Sequence, residues 1–223
     1  MTGAVIIPAY NEEATIAEVI GEVRVVAPEL DIIVVNDRST DGTAAVLATA
    51  GVIQINLAVN LGAWAATQAG LRYAVTHDYD FVVTMDADGQ HLPSTLPALI
   101  SRFAEDPEAI VVGECVRRGS RSRRFAWRYF RAITGLSVQD LTSGLRVYGR
   151  EAIKLLSSRE ATMLEYQDVG VLLLLRRHGF DIHEVSIEMQ ERAVGGSHVF
   201  RTWLSVLYYM VYTSIMSVAK VNR

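Results

Sequence analysis

The first half of the chain alternates short β-branched apolar runs with stretches of helical periodicity, and this pattern leaves few folds open. The runs "AVIIPAY", "DIIVVND", "GVIQIN", "DFVVTMD" and "AIVVGE" are separated by helical patterns over residues 12–26, 41–50, 60–75 and 94–105. Runs of this length that are apolar almost throughout suit strands covered on both faces, and a helix between successive strands implies parallel crossovers. The pattern predicts an α/β fold built on a mostly parallel, doubly wound sheet. Asn11, Asp41 and Ser94, each ahead of a helical pattern, are expected to cap the free amides of the helices that follow.

In such a sheet, ligands sit beyond the carboxyl ends of the strands, and the polar residues gather there. "PAYNEE" follows the first run, "NDRSTDGT" the second, "NLG" the third and "DADGQH" the fourth, so four loops should converge on one edge. In the last of these, Asp86 and Asp88 stand two apart and Gln90 adds a neutral oxygen. Such hard oxygen donors suit Mg²⁺ or Mn²⁺ holding a diphosphate. A single aspartate after a strand can equally cap the next helix, but the pair with Gln90 favours the metal reading. Asp88 is expected at a solvent-exposed position outside the core. Tyr10 can pack on a base or ribose and Asp37 can accept its hydrogen bonds. A packed surface aromatic and a turn former are the alternatives for these two, and they stay open. No Gly-Lys-Ser phosphate loop and no G-x-G-x-x-G is present.

Composition narrows the partners. The net charge of -4 and pI near 5.7 argue against a nucleic-acid binder. Cys115 is the single cysteine and cannot form an internal disulfide, and the N-terminus enters a strand-like run without a leader pattern, so the chain reads as intracellular. Residues 202–219 carry no charge and lie between Arg201 and Lys220. Ser205, Tyr209, Tyr212 and Ser217 fall on one side of a helix there. Leu204, Leu207, Val211, Ile215 and Val218 fall on the other, which predicts an amphipathic helix lying in a membrane interface rather than crossing it.

"VIIPAYNEE", "DIIVVNDRSTDGT", "NLG....TQAGLRYA" and "VVTMDADGQH", in this order and spacing, resemble family 2 glycosyltransferases of the GT-A fold. "DLTSGLRVYGREAIKLL" and "GFDIHEVSIEMQERAVGGS" are similar to the acceptor-side segments of polyprenyl-phosphate sugar synthases, the group that contains dolichol-phosphate mannose synthase. The resemblance implies a GT-A domain over residues 1–198 with the amphipathic helix in 199–223. It implies that Pro8, Tyr10, Glu12 and Asp37 hold the nucleoside, with Asp86, Asp88 and Gln90 holding Mg²⁺ or Mn²⁺ on the donor diphosphate. Arg192 and Ser197 would close over that diphosphate, and Arg146 and Arg124 would lie near the acceptor phosphate; a solvated surface charge is the alternative for each arginine. The implied partners are a nucleotide diphosphate sugar, a polyprenyl phosphate, the cytoplasmic face of a membrane, and a second copy or a small membrane protein.

Two departures stand out. Gly113, Glu114 and Cys115 replace a common Gly-Ser-Arg, with Arg117 or Arg118 as possible substitutes, and His198 stands where a lysine is usual. Three activities compete. The first is inverting transfer to a polyprenyl phosphate, whose ionised oxygen needs no general base. The second is transfer to a sugar hydroxyl with Asp168 as base, against which Asp168 reads as a helix N-terminal acid. The third is a non-catalytic membrane partner. The sugar and the base of the donor do not follow from these residues.

Overall fold

The computed structural model describes residues 1–116, 121–164 and 168–190, with backbone alone for 121–123. Among the described residues seven strands form one sheet: β1 (Gly3–Ala9), β2 (Asp31–Asn36), β3 (Ile53–Asn56), β4 (Phe81–Thr84), β5 (Ile110–Glu114), β6 (Arg146–Gly149) and β7 (Ile182–Ser186). Their order is β3-β2-β1-β4-β6-β5-β7. The neighbours β1 and β2, β2 and β3, β1 and β4, and β5 and β7 are parallel. β6 alone runs antiparallel, to β4 on one side and β5 on the other. The five predicted strands are present and the sheet is mostly parallel, as expected. β6 and β7 fall in segments the sequence reading did not assign to strands.

The apolar runs are covered on both faces. Ala4, Ile6, Ile33, Val35, Val82 and Tyr148 face α3 (Ala63–Thr76), α5 (Arg121–Thr134), α6 (Arg150–Leu156), α7 (Arg159–Thr162) and α8 (Val169–Arg177). Val5, Ile7, Ile32, Val34, Val83 and Val147 face α1 (Ile16–Val26), α2 (Thr43–Thr49) and α4 (Leu96–Glu105). Complete burial of side chains such as Ile6, Ile7 and Ile33 contributes about 1.5–3 kcal/mol each. Two buried polar groups on α3 fix the helical layer: Trp64 Nε1 donates to the Ala161 carbonyl at 3.0 Å and Gln68 Nε2 to that of Leu156 at 2.7 Å.

The helix starts depart from expectation in an informative way. Asp41 behaves as a cap, its Oδ1 accepting the Thr43 amide at 3.0 Å. Asn11 does not: α1 begins five residues later, and the Asn11 side chain turns toward the second loop. Ser94 lies inside a single 3₁₀ turn, Pro93–Thr95, that leads into α4. Among the described residues no helix is long and apolar enough to cross a membrane. Residues 202–219 and the boundary at 198 lie outside the described residues.

Candidate active site

The loops at the carboxyl edge are stitched to one another by hydrogen bonds. After β1, Asn11 adopts a left-handed conformation, φ 56°, which asparagine tolerates better than most residues. Its Oδ1 accepts the Thr40 amide at 2.8 Å and its amide donates to Ser39 Oγ at 3.0 Å. The Glu12 amide donates to Thr43 Oγ1 at 2.9 Å, and the Gly42 amide donates to the Glu13 carboxylate. Burial works to raise the Asp41 pKa, but hydrogen bonds from the Thr43 side chain and from the amides of Thr43 and Glu13 outweigh it and hold the carboxyl below its ordinary value. The first two loops therefore form one wall. On it Pro8 is partly buried within β1, Glu12 is half-buried and Tyr10 is 47% exposed, open to a stacking partner.

Asp37 is buried at the floor of this wall. Its two carboxylate oxygens accept the amides of Leu61 and Gly62 at 2.7 and 2.8 Å, and Asn60 Nδ2 donates to its carbonyl at 3.1 Å. The side chain thus fixes the third loop at the start of α3, a bond across loops rather than the turn within its own loop that stood as the alternative to a nucleoside contact. One lone pair on each oxygen remains for another donor.

The fourth loop carries the aspartate pair. Asp86 sits against the backbone of the loop before β6: a Cβ placed on Gly144 would lie 2.7 Å from Oδ1 and 2.9 Å from Oδ2. Thr84 Oγ1 donates to the Gly144 carbonyl at 2.7 Å, holding that approach. On its other side, His91 is 1% exposed; its Nδ1 accepts the Asp86 amide at 3.3 Å and stands 3.5 Å from Oδ2. Asp88 is 6% exposed, not the solvent-facing residue expected, because its Oδ1 accepts the Gln90 amide at 3.0 Å and closes the turn. Thr15 ties the first loop to this one, donating to the Ala87 carbonyl at 2.8 Å; Glu12 Oε2, at 3.2 Å, competes for the same proton.

These groups suit a divalent cation. The Asp86 side chain is 46% exposed at the edge, and a glycine cradles it where any larger residue would fill the space. Among the described residues no three His, Cys, Asp or Glu side chains cluster as a complete ligand set. The side-chain donors at this loop are therefore at most the Asp86 and Asp88 carboxylates and the Gln90 amide oxygen, a set of hard oxygens.

The right half of the edge is closed by β5, β6 and β7. The Cys115 amide donates to Asp140 Oδ2 at 3.4 Å, and Glu184 Oε1 accepts the amides of Gln139 and Asp140 at 2.7 and 3.3 Å. Burial pushes the Glu184 pKa up against these two amides, and the nearby Glu114 and Asp140 charges push it further. The isolated bridge between His91 and Met189 and a bond from the Gln190 amide to the Gln90 carbonyl, 2.9 Å, join the aspartate loop to the segment after β7.

The remaining candidates separate clearly. Arg146 is completely buried, with Nε on the Ser143 carbonyl at 2.8 Å and Nη2 on that of Leu141 at 3.2 Å. It roots the 140–145 loop from inside β6, and its burial rules out the solvated surface charge that stood as the alternative to a place near the acceptor phosphate. Arg124 is exposed on α5. Asp168 is 7% exposed and caps α8, its Oδ1 accepting the Gly170 amide at 3.1 Å. Because β7 runs parallel to β5, α8 must start at the carboxyl edge, which puts Asp168 on the same side as the aspartate pair. Arg117, Arg118, Arg192, Ser197 and His198 lie outside the described residues.

The model of the family described as "Glycosyl transferase family 2" matches residues 4–158, which takes in all four donor-side loops and the 140–145 loop. The chain belongs to glycosyl transferase family 2. Within it, a polyprenol monophosphomannose synthase of Mycolicibacterium smegmatis is 31% identical over 210 residues, spanning 86% of this chain and 79% of that one. An undecaprenyl-phosphate mannosyltransferase of Micrococcus luteus is 32% identical over 207 residues, spanning 86% and 85%. The fold is also that of glucosyl-3-phosphoglycerate synthase from Mycobacterium tuberculosis, crystallised with Mn²⁺, UDP-glucose and phosphoglyceric acid: TM-score 0.72, 24% identity, 98% of this chain and 79% of that one.

The sequence alone assigns no role to His91, Thr15 or Gly144. His91 stood inside the motif itself. Gly144 carried a weaker signal, a glycine between two polar residues and a strand, whose purpose is visible only once β6 is seen beside β4.

Proposed function

We propose that this family 2 glycosyltransferase moves a sugar from a nucleotide diphosphate sugar to the phosphate of a polyprenyl lipid, with inversion. The observation that carries the reading is the close approach of Asp86 to Gly144, which brings a donor-side carboxylate directly against the loop opposite it. The two relatives named for polyprenol and undecaprenyl-phosphate mannosyl transfer support the acceptor class. In this reading Pro8, Tyr10 and Glu12 flank the nucleoside and Asp37 fixes the third loop beside it. Asp86, Asp88 and Gln90 hold Mg²⁺ or Mn²⁺. A bound divalent ion neutralises charge building on the departing diphosphate.

The bond from the acceptor phosphate oxygen to the anomeric carbon forms as the bond from that carbon to the donor diphosphate breaks, and the nucleoside diphosphate leaves. A phosphate oxygen is already ionised, so positioning and charge neutralisation suffice. Asp168 has a structural role of its own in this reading, its Oδ1 capping α8 at the Gly170 amide. Arg146 contributes by shaping the 140–145 loop, and Arg192 and Ser197 would close over the donor diphosphate.

The test is transfer from a panel of labelled nucleotide sugars with and without undecaprenyl phosphate. Label should enter the organic phase only with the lipid and a divalent cation present, and EDTA should stop it. Label appearing in a water-soluble glycan, or no transfer from any donor, overturns the proposal.

A further inference from the structure

Asp37 is tied into the nucleoside wall in a way that limits what it can still bind. Its Oδ1 and Oδ2 accept the amides of Leu61 and Gly62, at 2.7 and 2.8 Å. The nitrogens of consecutive residues stand close together, so they reach the two oxygens of one carboxylate only side by side, across its front. The lone pairs left over are the lateral ones, one on each oxygen, and these point away from each other. The Asp37 amide is itself held on the Ala9 carbonyl at 2.9 Å, which fixes the residue in this pose. At 2% exposure it has one oxygen at most to give a ligand.

A donor and two apolar surfaces stand next to that acceptor. Asn60 Nδ2 gives one hydrogen to the Asp37 carbonyl at 3.1 Å and keeps another, on an exposed side chain. Tyr10 follows the residue that holds the Asp37 amide, and Leu61 donates to the Asp37 carboxylate. Both are exposed, at 47% and 55%, and suit the flat faces of a ring.

We propose that the base of the donor is a 2,4-dioxopyrimidine, uracil or thymine, with its N3–H on Asp37. The inference rests on the reading that a nucleotide diphosphate sugar occupies this edge, and it holds for a lipid phosphate or a sugar hydroxyl as acceptor. Uracil and thymine offer one ring N–H between two carbonyls, the pattern that a single acceptor with an amide donor beside it takes. Guanine offers two parallel donors, N1–H and N2–H, whose partner is the carboxylate front that the Leu61 and Gly62 amides already fill. Its amino group would be desolvated here without an acceptor. Cytosine and adenine turn a ring nitrogen lone pair toward Asp37, one acceptor against another, and are rejected for that reason.

Binding of UDP, dTDP and GDP to the full chain, each with Mn²⁺, is measured by calorimetry, together with the N3-methyl form of whichever pyrimidine binds tighter. The tighter pyrimidine diphosphate should exceed GDP by at least about tenfold in affinity. Methylation at N3 should weaken it by about tenfold or more, because a hydrogen bond to a buried carboxylate is lost while the ring faces and the diphosphate are unchanged. The comparison alters the ligand alone, so no variant has to fold. GDP binding as tightly as either pyrimidine diphosphate, or undiminished binding after N3-methylation, overturns the inference and leaves a nucleotide donor in place. Binding of none of these diphosphates overturns the donor reading along with it.

Discussion

Replacing Gly144 by alanine adds a single methyl group, and the structure says where it goes. The new Cβ would lie 2.7 and 2.9 Å from the two carboxylate oxygens of Asp86 and 3.1 Å from its Cγ. Heavy atoms in contact prefer roughly 3.5 Å, so the carboxylate must withdraw by about half an ångström or more. The backbone at Gly144 is outside the left-handed region, so alanine itself costs no strain there. The Asp86 side chain is 46% exposed and can swing toward solvent, so the cost in stability should stay below about 1 kcal/mol, a shift in Tm of roughly 2–4 °C at most. Catalysis is far less tolerant, since a displacement approaching 1 Å at a positioning group is worth about 10²-fold in rate. We expect Gly144→Ala to melt near the wild-type temperature, to lose about two orders of magnitude in kcat, and to need more Mn²⁺ or Mg²⁺ for half-maximal activity. Wild-type kcat with an unchanged metal titration would show that the placement of Asp86 against this loop is irrelevant to turnover.

Two other substitutions probe separate parts of the edge. Asp168→Asn keeps an oxygen for the Gly170 amide, and Asn caps as well as Asp, so α8 should persist. With a phosphate acceptor kcat at saturating donor should fall by less than about tenfold, whereas loss of a general base would cost about 10² to 10⁴. Glu184→Gln tests the raised carboxyl. Because the folded state holds that proton more tightly than the unfolded chain, this group's contribution to stability is fully present at low pH and is lost as pH rises from the ordinary carboxylate range through the raised value. Glutamine accepts the same two amides uncharged, so a series of melting curves across mildly acidic to neutral pH should show a flatter profile for the variant, with its advantage over wild type greatest near neutrality. Parallel profiles would refute the assignment.

The donor half was legible because its signals are local. "AVIIP", "DIIVVN" and "FVVT" could only be strands buried on both faces, and the loops after them had to share an edge whatever their internal bonding. β6 escaped notice because "RVYG" is four residues long and opens on an arginine, a residue that reads as surface until its guanidinium is seen bonded to the Ser143 and Leu141 carbonyls. β7 escaped because "IHEVS" is a half-exposed edge strand with two titratable residues in it. The aspartate pair was found from spacing alone. Spacing could not say that Asp88 would be buried by its own bond to the Gln90 amide, or that Asp37 would be turned onto the Leu61 and Gly62 amides, since both depend on partners fixed by tertiary structure. Asn11 failed as a cap for a related reason: its side-chain oxygen met the Thr40 amide, 29 residues away, before any helix amide.

The reversed strand has a consequence for how such chains can change. Because β6 re-enters the sheet head to tail between β4 and β5, everything from Glu114 to Leu145 departs from and comes back to adjacent points, clasped by the Gly113–Leu145 and Cys115–Asp140 bonds. A segment with neighbouring ends can change length at its exposed turns without disturbing the register of the strands that carry the nucleotide loops, while Ala126, Trp127 and Phe130 stay fixed in the core. The end of the stretch is held more tightly than its middle, because Gly144 packs on the Asp86 carboxylate and its carbonyl takes the bond from Thr84, so a change of length is confined to the turns ahead of residue 140.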